Sequence, residues 1–405
     1  MAKVVWIVNQ YGSTPEVGMG GRHYYLAREL ARRGVRVYLI VAGYHHLMRI
    51  KPKVDEAFKV EEVSDRFSVV WVRVPTYLGA RSKQRVLNWF LFAWRVRGAA
   101  SVIPDRPDSI LCSSPSPFAF LMSRALSKKF SARLLFEVRD IWPLTLTEIG
   151  GHGKSHPLIW LMQWVEKKAY RESHVVISNL ENAVQHMEAH GLAKEKFCWI
   201  PNGFSLEEAE CVSPLDVAIH SKIPKGKFVV GYAGTLGVAN ALDTLIDAAK
   251  ELASVEGLVF VLVGGGEEAL RLKEKAACYD LKNVIFLDRV AKENVYSVLE
   301  IFDVCFIGWK AEKLYRFGIA ANKIPEYMFS GKPVLHAYGG GCDPIHRYGA
   351  GVVVAPEDVT DLVRGVLQLY RMSDEERMRM GANGRKAALK YYEYGELAER
   401  LLGVL

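Results

Sequence analysis

Two doubly wound α/β domains in tandem are the fold class that this sequence predicts, on three observations. Short apolar runs alternate with amphipathic helical stretches along the chain, the pattern of parallel sheets covered by helices on both faces. The 405 residues are long for one core and comfortable for two of about 200 each. The strand–helix rhythm also stops at a polar, acidic stretch, Ser205–Lys227, and then starts again.

Val4–Val8 opens the first domain as a buried strand. A long Gly-containing loop, a helix over Arg22–Arg33 with Gly34 as its stop, and a strand over Val35–Ala42 follow. Val69–Val74, Ser109–Cys112, Arg133–Val138, His174–Ser178 and Phe197–Ile200 read as further strands, with helices between most of them. In the second domain the strands are Phe228–Ala233, Leu258–Val263, Asn283–Leu287, Val304–Ile307 and Val334–Ala337, with Val352–Val354 at the edge. The C-terminal stretch reads as helical, with Gly381 and Gly384 as possible breaks. The boundaries expected are 1–205, 206–385 and a C-terminal helix, 386–405, that packs back on the first domain. Two such units would leave a cleft at the carboxyl ends of their strands.

Composition sets limits on function. Half the residues are hydrophobic and 24% are charged, ordinary for a globular protein. No apolar run reaches the roughly 20 residues of a membrane span, and Val4–Val8 is too short for a signal-peptide core. Six cysteines stand singly without Cys-x-x-Cys, and several lie in apolar runs, as buried free thiols in a reducing cytosol would. His45 and His46 are adjacent and point apart; no metal site and no cofactor is expected. The net charge of +8 is unevenly shared. Residues 1–205 carry 29 Lys and Arg against 17 Asp and Glu, leaving 24 against 28 for residues 206–405. The first half therefore faces something anionic, nucleic acid or membrane.

The most informative stretch is Asn322-Lys323-Ile324-Pro325-Glu326-Tyr327, after the loop Phe317-Gly318-Ile319-Ala320-Ala321 and before Gly331-Lys332-Pro333-Val334. A helix start facing a Gly-containing loop favours an anion such as phosphate. A carboxylate one turn inside can grip the vicinal diol of a ribose. Together they suggest a nucleotide, or a nucleotide-sugar. Gly18-Met19-Gly20-Gly21-Arg22, Gly234-Thr235-Leu236-Gly237 and Gly264-Gly265-Gly266-Glu267 are further strand–Gly–helix junctions that suit a phosphate, a ribose or a base, or serve only as turns and packing. Arg289-Val290, after the next strand, could flank a base or form an ordinary loop. Arg139-Asp140-Ile141-Trp142-Pro143 puts charges at the end of a strand, where Asp140 is either a site residue or a helix cap. Ile200-Pro201-Asn202-Gly203 reads as a structural turn.

Arg81–Arg97 holds Arg81, Lys83, Arg85, Arg95 and Arg97 and no acid, and Val86, Trp89, Phe90, Ala93 and Trp94 share a helical face. Basic and aromatic residues on one helix suggest binding at an anionic membrane surface; a core helix with basic ends is the other reading. Leu158–Lys168, with Trp160 and Trp164, could extend that surface. The partner expected is a membrane and not nucleic acid.

Taken in order, the glycine loop at Gly18–Gly21, Ile200–Gly203, Gly234–Leu236, Gly264–Glu267 and Asn322–Val334 resemble family-four glycosyltransferases of the two-Rossmann GT-B fold. Arg139–Pro143 and Asn322–Tyr327 are most similar to bacterial enzymes of O-antigen and capsule synthesis, including the fucosamine-transferase-like group. The resemblance implies a nucleotide-sugar donor, most simply a UDP-sugar, retention of anomeric configuration and no metal. It also implies a polyprenyl-diphosphate-linked glycan as acceptor at the inner face of the cell membrane. Glu326 matches the second Glu of the family's Glu-seven-residues-Glu motif, whose first position here is Gly318. The family's Arg and Lys after the second domain's first strand are here Thr235 and Asn240. Sugar contacts would then fall to Gly318, Ile319 and Ala320, and diphosphate charge to Lys323, Arg316 and Arg22. Asp140 and Arg139 would stand near the reacting sugar. A nucleotide-sugar epimerase and a non-catalytic sugar-nucleotide-binding protein are the alternatives.

Overall fold

A computed structural model describes all residues except 1, 2, 19, 80, 81, 152, 154, 212, 216–218 and 220. Met19 of the first glycine loop and Arg81 of the basic helix therefore lie outside the described residues. The chain forms two compact units, residues 1–201 with 394–405 and residues 202–393. Relative to the expected cuts at 205 and 385, residues 202–205 and 386–393 go to the second unit.

In the first unit the strands are β1 (Val4–Val8), β2 (Arg36–Ala42), β3 (Phe58–Ser64), β4 (Phe67–Val72), β5 (Ser109–Ser113), β6 (Arg133–Val138), β7 (Val175–Ser178) and β8 (Phe197–Trp199). They form one sheet in the order β3-β4-β2-β1-β5-β6-β7-β8. Successive strands spread to either side of β1, so the topological switch lies between β1 and β5. The inner strands are continuous apolar runs because helices cover both faces. The helices are α1 (Arg22–Arg32), α2 (Lys83–Val96), α3 (Ala119–Phe130), α4 (Leu144–Glu148), α5 (Pro157–Glu172) and α6 (Ala183–Ala189). The structure adds β3, an antiparallel partner of β4. Its sequence, FKVEEVS, is half-exposed and charged, which suits a sheet edge and hides the strand from a search for apolar runs. β4 lies at Phe67–Val72 rather than the expected Val69–Val74.

The second unit holds α7 (Leu206–Glu210), β9 (Phe228–Ala233), α8 (Leu242–Glu251), β10 (Leu258–Val263), α9 (Ala269–Cys278), β11 (Val284–Leu287), α10 (Val295–Ile301), β12 (Val304–Gly308), α11 (Lys323–Phe329), β13 (Val334–Ala337), α12 (Pro344–Tyr348), β14 (Gly351–Val354), α13 (Val359–Arg371) and α14 (Asp374–Tyr391). Its sheet runs β11-β10-β9-β12-β13-β14, with every recorded pair parallel. The switch point lies between β9 and β12. α14 runs unbroken through Gly381 and Gly384, contrary to expectation. A Cβ at Gly381 would stand 1.7 Å from the Gly331 carbonyl oxygen; these glycines let α14 lie against the end of α11 rather than stop it. The helix break falls at Tyr392–Glu393, and α15 (Tyr394–Leu402) joins the first unit. There Tyr394, Leu397, Leu401 and Leu405 enter the core around α1 and β1.

Of the six cysteines, Cys112 and Cys305 are buried, Cys198 and Cys342 intermediate, and Cys211 and Cys278 exposed.

Candidate functional site

In the second unit, three loops leave the carboxyl ends of β9, β10 and β12 on either side of the switch point, the usual ligand position in open α/β sheets. The first two are zipped together through their backbones: Gly234 N–H donates to Val263 O (2.9 Å), Leu236 N–H to Gly265 O (3.0 Å), and Glu268 N–H to Leu236 O (3.1 Å). A Cβ at Gly264 would meet the Gly234 oxygen at 1.9 Å, and one at Gly266 the Leu236 oxygen at 2.2 Å. Much of the Gly264–Gly266 signal is thus this close approach. Arg289 lies along the same loop, its Nε 2.8 Å from where a Gly265 Cβ would stand. Thr235, Glu267 and Arg289 are exposed, Val290 is half-buried, and Leu236 is buried.

Lys323 opens α11 and crosses to the end of β9. Its ammonium donates to the Tyr232 hydroxyl (2.6 Å) and to Asn240 Oδ1 (3.1 Å), 4.4 Å from the Tyr232 ring centroid. Tyr232 in turn donates to Thr235 O at 2.6 Å, and Asn240 Nδ2 to the same oxygen at 2.9 Å. Any side chain at Gly234 would collide with the Lys323 stem, 2.3 Å from its Cε. Thr235 and Asn240 carry no charge themselves, yet their loop cradles a cation that comes from another element. Burial pushes Lys323 down to about 8, with Glu326 opposing.

Glu326 lies one turn further along α11, half-buried, and its carboxylate accepts no hydrogen bond among the described residues. Burial pushes it up to about 7, against the pull of Lys292 and Lys323. The loop ahead of α11 turns at Gly318, whose φ is +102°. Asn202 Nδ2 donates to Ala320 O at 2.6 Å and so holds this loop. Asn202 therefore positions Gly318–Ala321, a role that its reading as a simple turn did not include. Ile319 and Ala320 are half-buried, and Asn322 is exposed. Arg316 is exposed, with its guanidinium 4.2 Å from the Phe317 ring centroid and Nη1 donating to Lys313 O (2.6 Å).

In the first unit, Gly20 and Gly21 have φ of +63° and +83° and lead into α1. Arg22 is a correction: it turns inward, 4% exposed, and is not a free cation. Its Nε donates to Glu137 Oε1 (2.7 Å), Nη2 to Ile200 O (2.9 Å), and Nη1 to Pro201 O. His23 Nε2 meets the other Glu137 oxygen at 2.5 Å, Ser113 donates to that oxygen at 2.6 Å, and Asn9 meets His23 Nδ1 at 2.7 Å. This buried network ties the ends of β1, β5, β6 and β8 together. Burial alone would raise Glu137, but His23 and Arg22 hold it well below the usual carboxylate range. Arg139 is half-buried, its Nε without a hydrogen-bond partner. Asp140 is exposed at the end of β6.

The membrane candidates divide. Trp89 is 4% exposed; it donates to the Tyr11 hydroxyl (2.7 Å) and packs edge-on against Trp142. Arg85 lies among Tyr11, Trp89 and Trp142, and Arg95 donates to Arg73 O. Trp89 belongs to the core, which corrects its assignment to a lipid-facing stripe; Arg85 and Arg95 are half-buried. The exposed face of α2 is Leu87 (67%), Phe90 (39%) and Trp94 (58%), at helical spacing with Lys83 and Arg97. α5 exposes Trp160 (66%) and Trp164 (44%) beside Lys167. α3 packs against both helices.

The expectation of no metal site leaves out His186-x-x-x-His190, a ligand spacing that is plain in the chain. The fold brings Glu166 of α5 to this pair, a neighbour that no local pattern announces.

Two Rossmann-like units with sheets parallel but for the edge strand β3, the second with a cation and a carboxylate on one helix at its switch point, define a GT-B fold. The profile of the glycosyl transferases group 1 family matches residues 218–387, and that of the glycosyl transferase 4-like domain matches residues 17–203. The chain belongs to the group 1, family-four-like glycosyltransferases. It is 25% identical over 278 residues to WcaI of Escherichia coli K12, whose name places it among colanic acid biosynthesis glycosyl transferases. That alignment covers 65% of this chain and 66% of the relative, just under two thirds of its length. Sucrose-phosphate synthase from Thermosynechococcus elongatus superposes with a TM-score of 0.73 at 17% identity, over 99% of this chain and 98% of that one. Anabaena HepE in complex with UDP superposes with a TM-score of 0.69, at the same identity and coverage.

Proposed function

We propose that this protein is a retaining glycosyltransferase that moves a sugar from a UDP-sugar to a lipid-linked glycan in the assembly of a cell-surface polysaccharide. The observation that carries the reading is Lys323, held by Tyr232 and Asn240 at the switch point, with Glu326, which accepts no hydrogen bond among the described residues, one turn behind it. In this reading the second unit binds the donor. Glu326 accepts the ribose hydroxyls. Gly234–Leu236, Gly265–Glu267 and Arg289-Val290 line the nucleotide, and Gly318–Ala320 and Asn322 present backbone and amide donors to sugar and diphosphate. Lys323 neutralises the diphosphate as it leaves, without a metal. A donor aimed at charge that develops in the transition state is worth about 3 kcal/mol. The first unit, with Gly20, Gly21, Arg139 and Asp140 at its strand ends, serves the acceptor.

The acceptor proposed is a polyprenyl-diphosphate-linked glycan at the inner membrane face. Leu87, Phe90, Trp94, Trp160 and Trp164, bordered by Lys83, Arg97 and Lys167, support interfacial binding. An N-acetylated deoxyhexosamine donor and an O-antigen or capsule product follow from the resemblance to the fucosamine-transferase-like group. Incubation with UDP-sugars, with and without a polyprenyl-diphosphate glycan, tests the reading. Acceptor-dependent UDP release with an unchanged anomer supports it. Sugar isomerisation without acceptor would make the protein an epimerase, and binding without turnover a non-catalytic receptor.

A further inference from the structure

We propose that Glu166, His186 and His190 form a binding site for a divalent transition-metal ion, Zn²⁺ in the first instance, that clips α6 to α5 in the first unit. One ligand atom from each residue lies within 4.8 Å of the other two. His186 and His190 stand four residues apart, one turn along α6 and its C-cap, so both rings project from the same side; the rings stack with centroids 4.0 Å apart. His186 Nε2 is 3.0 Å from Glu166 Oε1. Two ligands at about 2.0–2.1 Å from a tetrahedral zinc are about 3.3 Å apart, so this pair already stands near the required edge.

Three further features fit a metal better than a plain hydrogen-bonded cluster. His190 Nδ1 faces the His186 carbonyl oxygen at 2.8 Å. A carbonyl only accepts, so the proton sits on Nδ1 and the Nε2 lone pair of the neutral ring is left for a ligand, the arrangement that metal-binding histidines ordinarily show. The Tyr170 hydroxyl donates at 2.9 Å to the same Glu166 Oε1 that faces His186, which orients that oxygen. Glu166 is 2% exposed, and no lysine or arginine among the described residues bridges it. A divalent ion replacing the proton between Glu166 and His186 would supply the missing positive charge. Both histidines keep partial exposure, which leaves a fourth position for water. The ligand set of two imidazoles and a carboxylate suits Zn²⁺, Co²⁺ or Ni²⁺ rather than Mg²⁺ or Ca²⁺. The cluster shares no residue with the Lys323–Glu326 pair proposed for the donor, and the clip is a structural one.

The test is a Co²⁺ and Zn²⁺ titration of the untagged full chain carrying Cys211→Ser and Cys278→Ser, which removes the two exposed thiols as competing ligands. One equivalent of Co²⁺ should give the intense visible bands of a tetrahedral ion, displaceable by Zn²⁺, and Zn²⁺ should raise the melting temperature. His190→Ala should abolish the bands and weaken Zn²⁺ binding at least tenfold. Tyr170→Phe should weaken it by about tenfold, as loss of a supporting hydrogen bond does. A circular-dichroism melt verifies that each variant folds; His190→Gln replaces His190→Ala if that variant does not. Absence of saturable binding, or an affinity unchanged in a folded His190 variant, would overturn the proposal. Loss of binding in the variants with wild-type transferase turnover retained in EDTA is the expected pattern.

Discussion

Lys323→Met removes one positive charge while keeping most of the side chain's volume, and it isolates the electrostatic part of the proposed mechanism. In the free protein Lys323 is held at about 8 by burial, against an ordinary lysine value of about 10.4. A bound diphosphate that restores the ordinary value would favour the charged over the neutral amine by about 3 kcal/mol, since each pKa unit is worth about 1.4 kcal/mol. A neutral isostere should forfeit about that much where the diphosphate charge is greatest. Leaving-group charge grows toward the transition state, so the loss should appear mainly as a fall in kcat of about 100-fold, with a smaller rise in the donor KM. Steady-state kinetics with varied donor, read beside a melting curve, measures it. The melting temperature at neutral pH should not fall. Because Lys323 is depressed, the folded state resists its proton, and stability rises as pH goes from about 8 toward the unfolded value. A variant in which only KM moves, with kcat intact, would show that Lys323 binds the ground state and plays no part in leaving-group departure.

Glu326→Ala should weaken UDP binding by about 1.5–3 kcal/mol, the range for a hydrogen bond to a charged group; calorimetry that shows unchanged affinity would remove it from the donor site. Donor kcat/KM should peak between the Glu326 value of about 7, above which the carboxylate forms, and the Lys323 value of about 8, above which the ammonium is lost. A flat profile from pH 6 to 9 would contradict both assignments. Glu137→Leu should destabilise the first unit by about 3–5 kcal/mol, because it leaves Arg22 buried without its partner; denaturant unfolding reads this, and a change under 1 kcal/mol would refute it. Trp94→Ala with Trp160→Ala should reduce co-sedimentation with anionic vesicles, by about 1–2 kcal/mol per ring for partial burial in the interface, with no change in melting temperature. Trp89→Ala should do the reverse, and equal recovery with anionic and neutral vesicles at low salt would end the membrane reading.

The parallel strands were legible because helices bury them on both faces, which makes Val4–Val8 or Leu258–Val263 unbroken apolar runs. β3 was not, because an edge strand that faces water has no reason to be apolar. On α2 the residues were found but not their directions: Trp89 and Trp94 satisfy the same helical pattern, and only the position of Tyr11 and Trp142 decides which of them turns inward. Arg22 looked like a free cation at a glycine loop because Glu137, 115 residues away, leaves no local trace. Lys323 is the opposite case: its charge was legible in place of Thr235 and Asn240, and what needed the fold was its hold on Tyr232 and Asn240. The glycines of α14 show the ambiguity of that residue, since a break and a close helix contact demand the same absent side chain.

Residues 394–405 complete a unit that begins with the first strand, and residues 202–393 are inserted between its parts. The insertion is pinned where it leaves and returns: Phe204 and Glu393 form a β-bridge, and Phe204 N–H donates to Tyr392 O at 3.0 Å. During synthesis the second unit has all its residues in hand before the first does. The older unit must wait, with the apolar groove of α1 and β1 open to water, until Tyr394, Leu397, Leu401 and Leu405 leave the ribosome. In chain order the second unit is finished first, and a chain cut after residue 393 would carry all of the second unit beside an unfinished first.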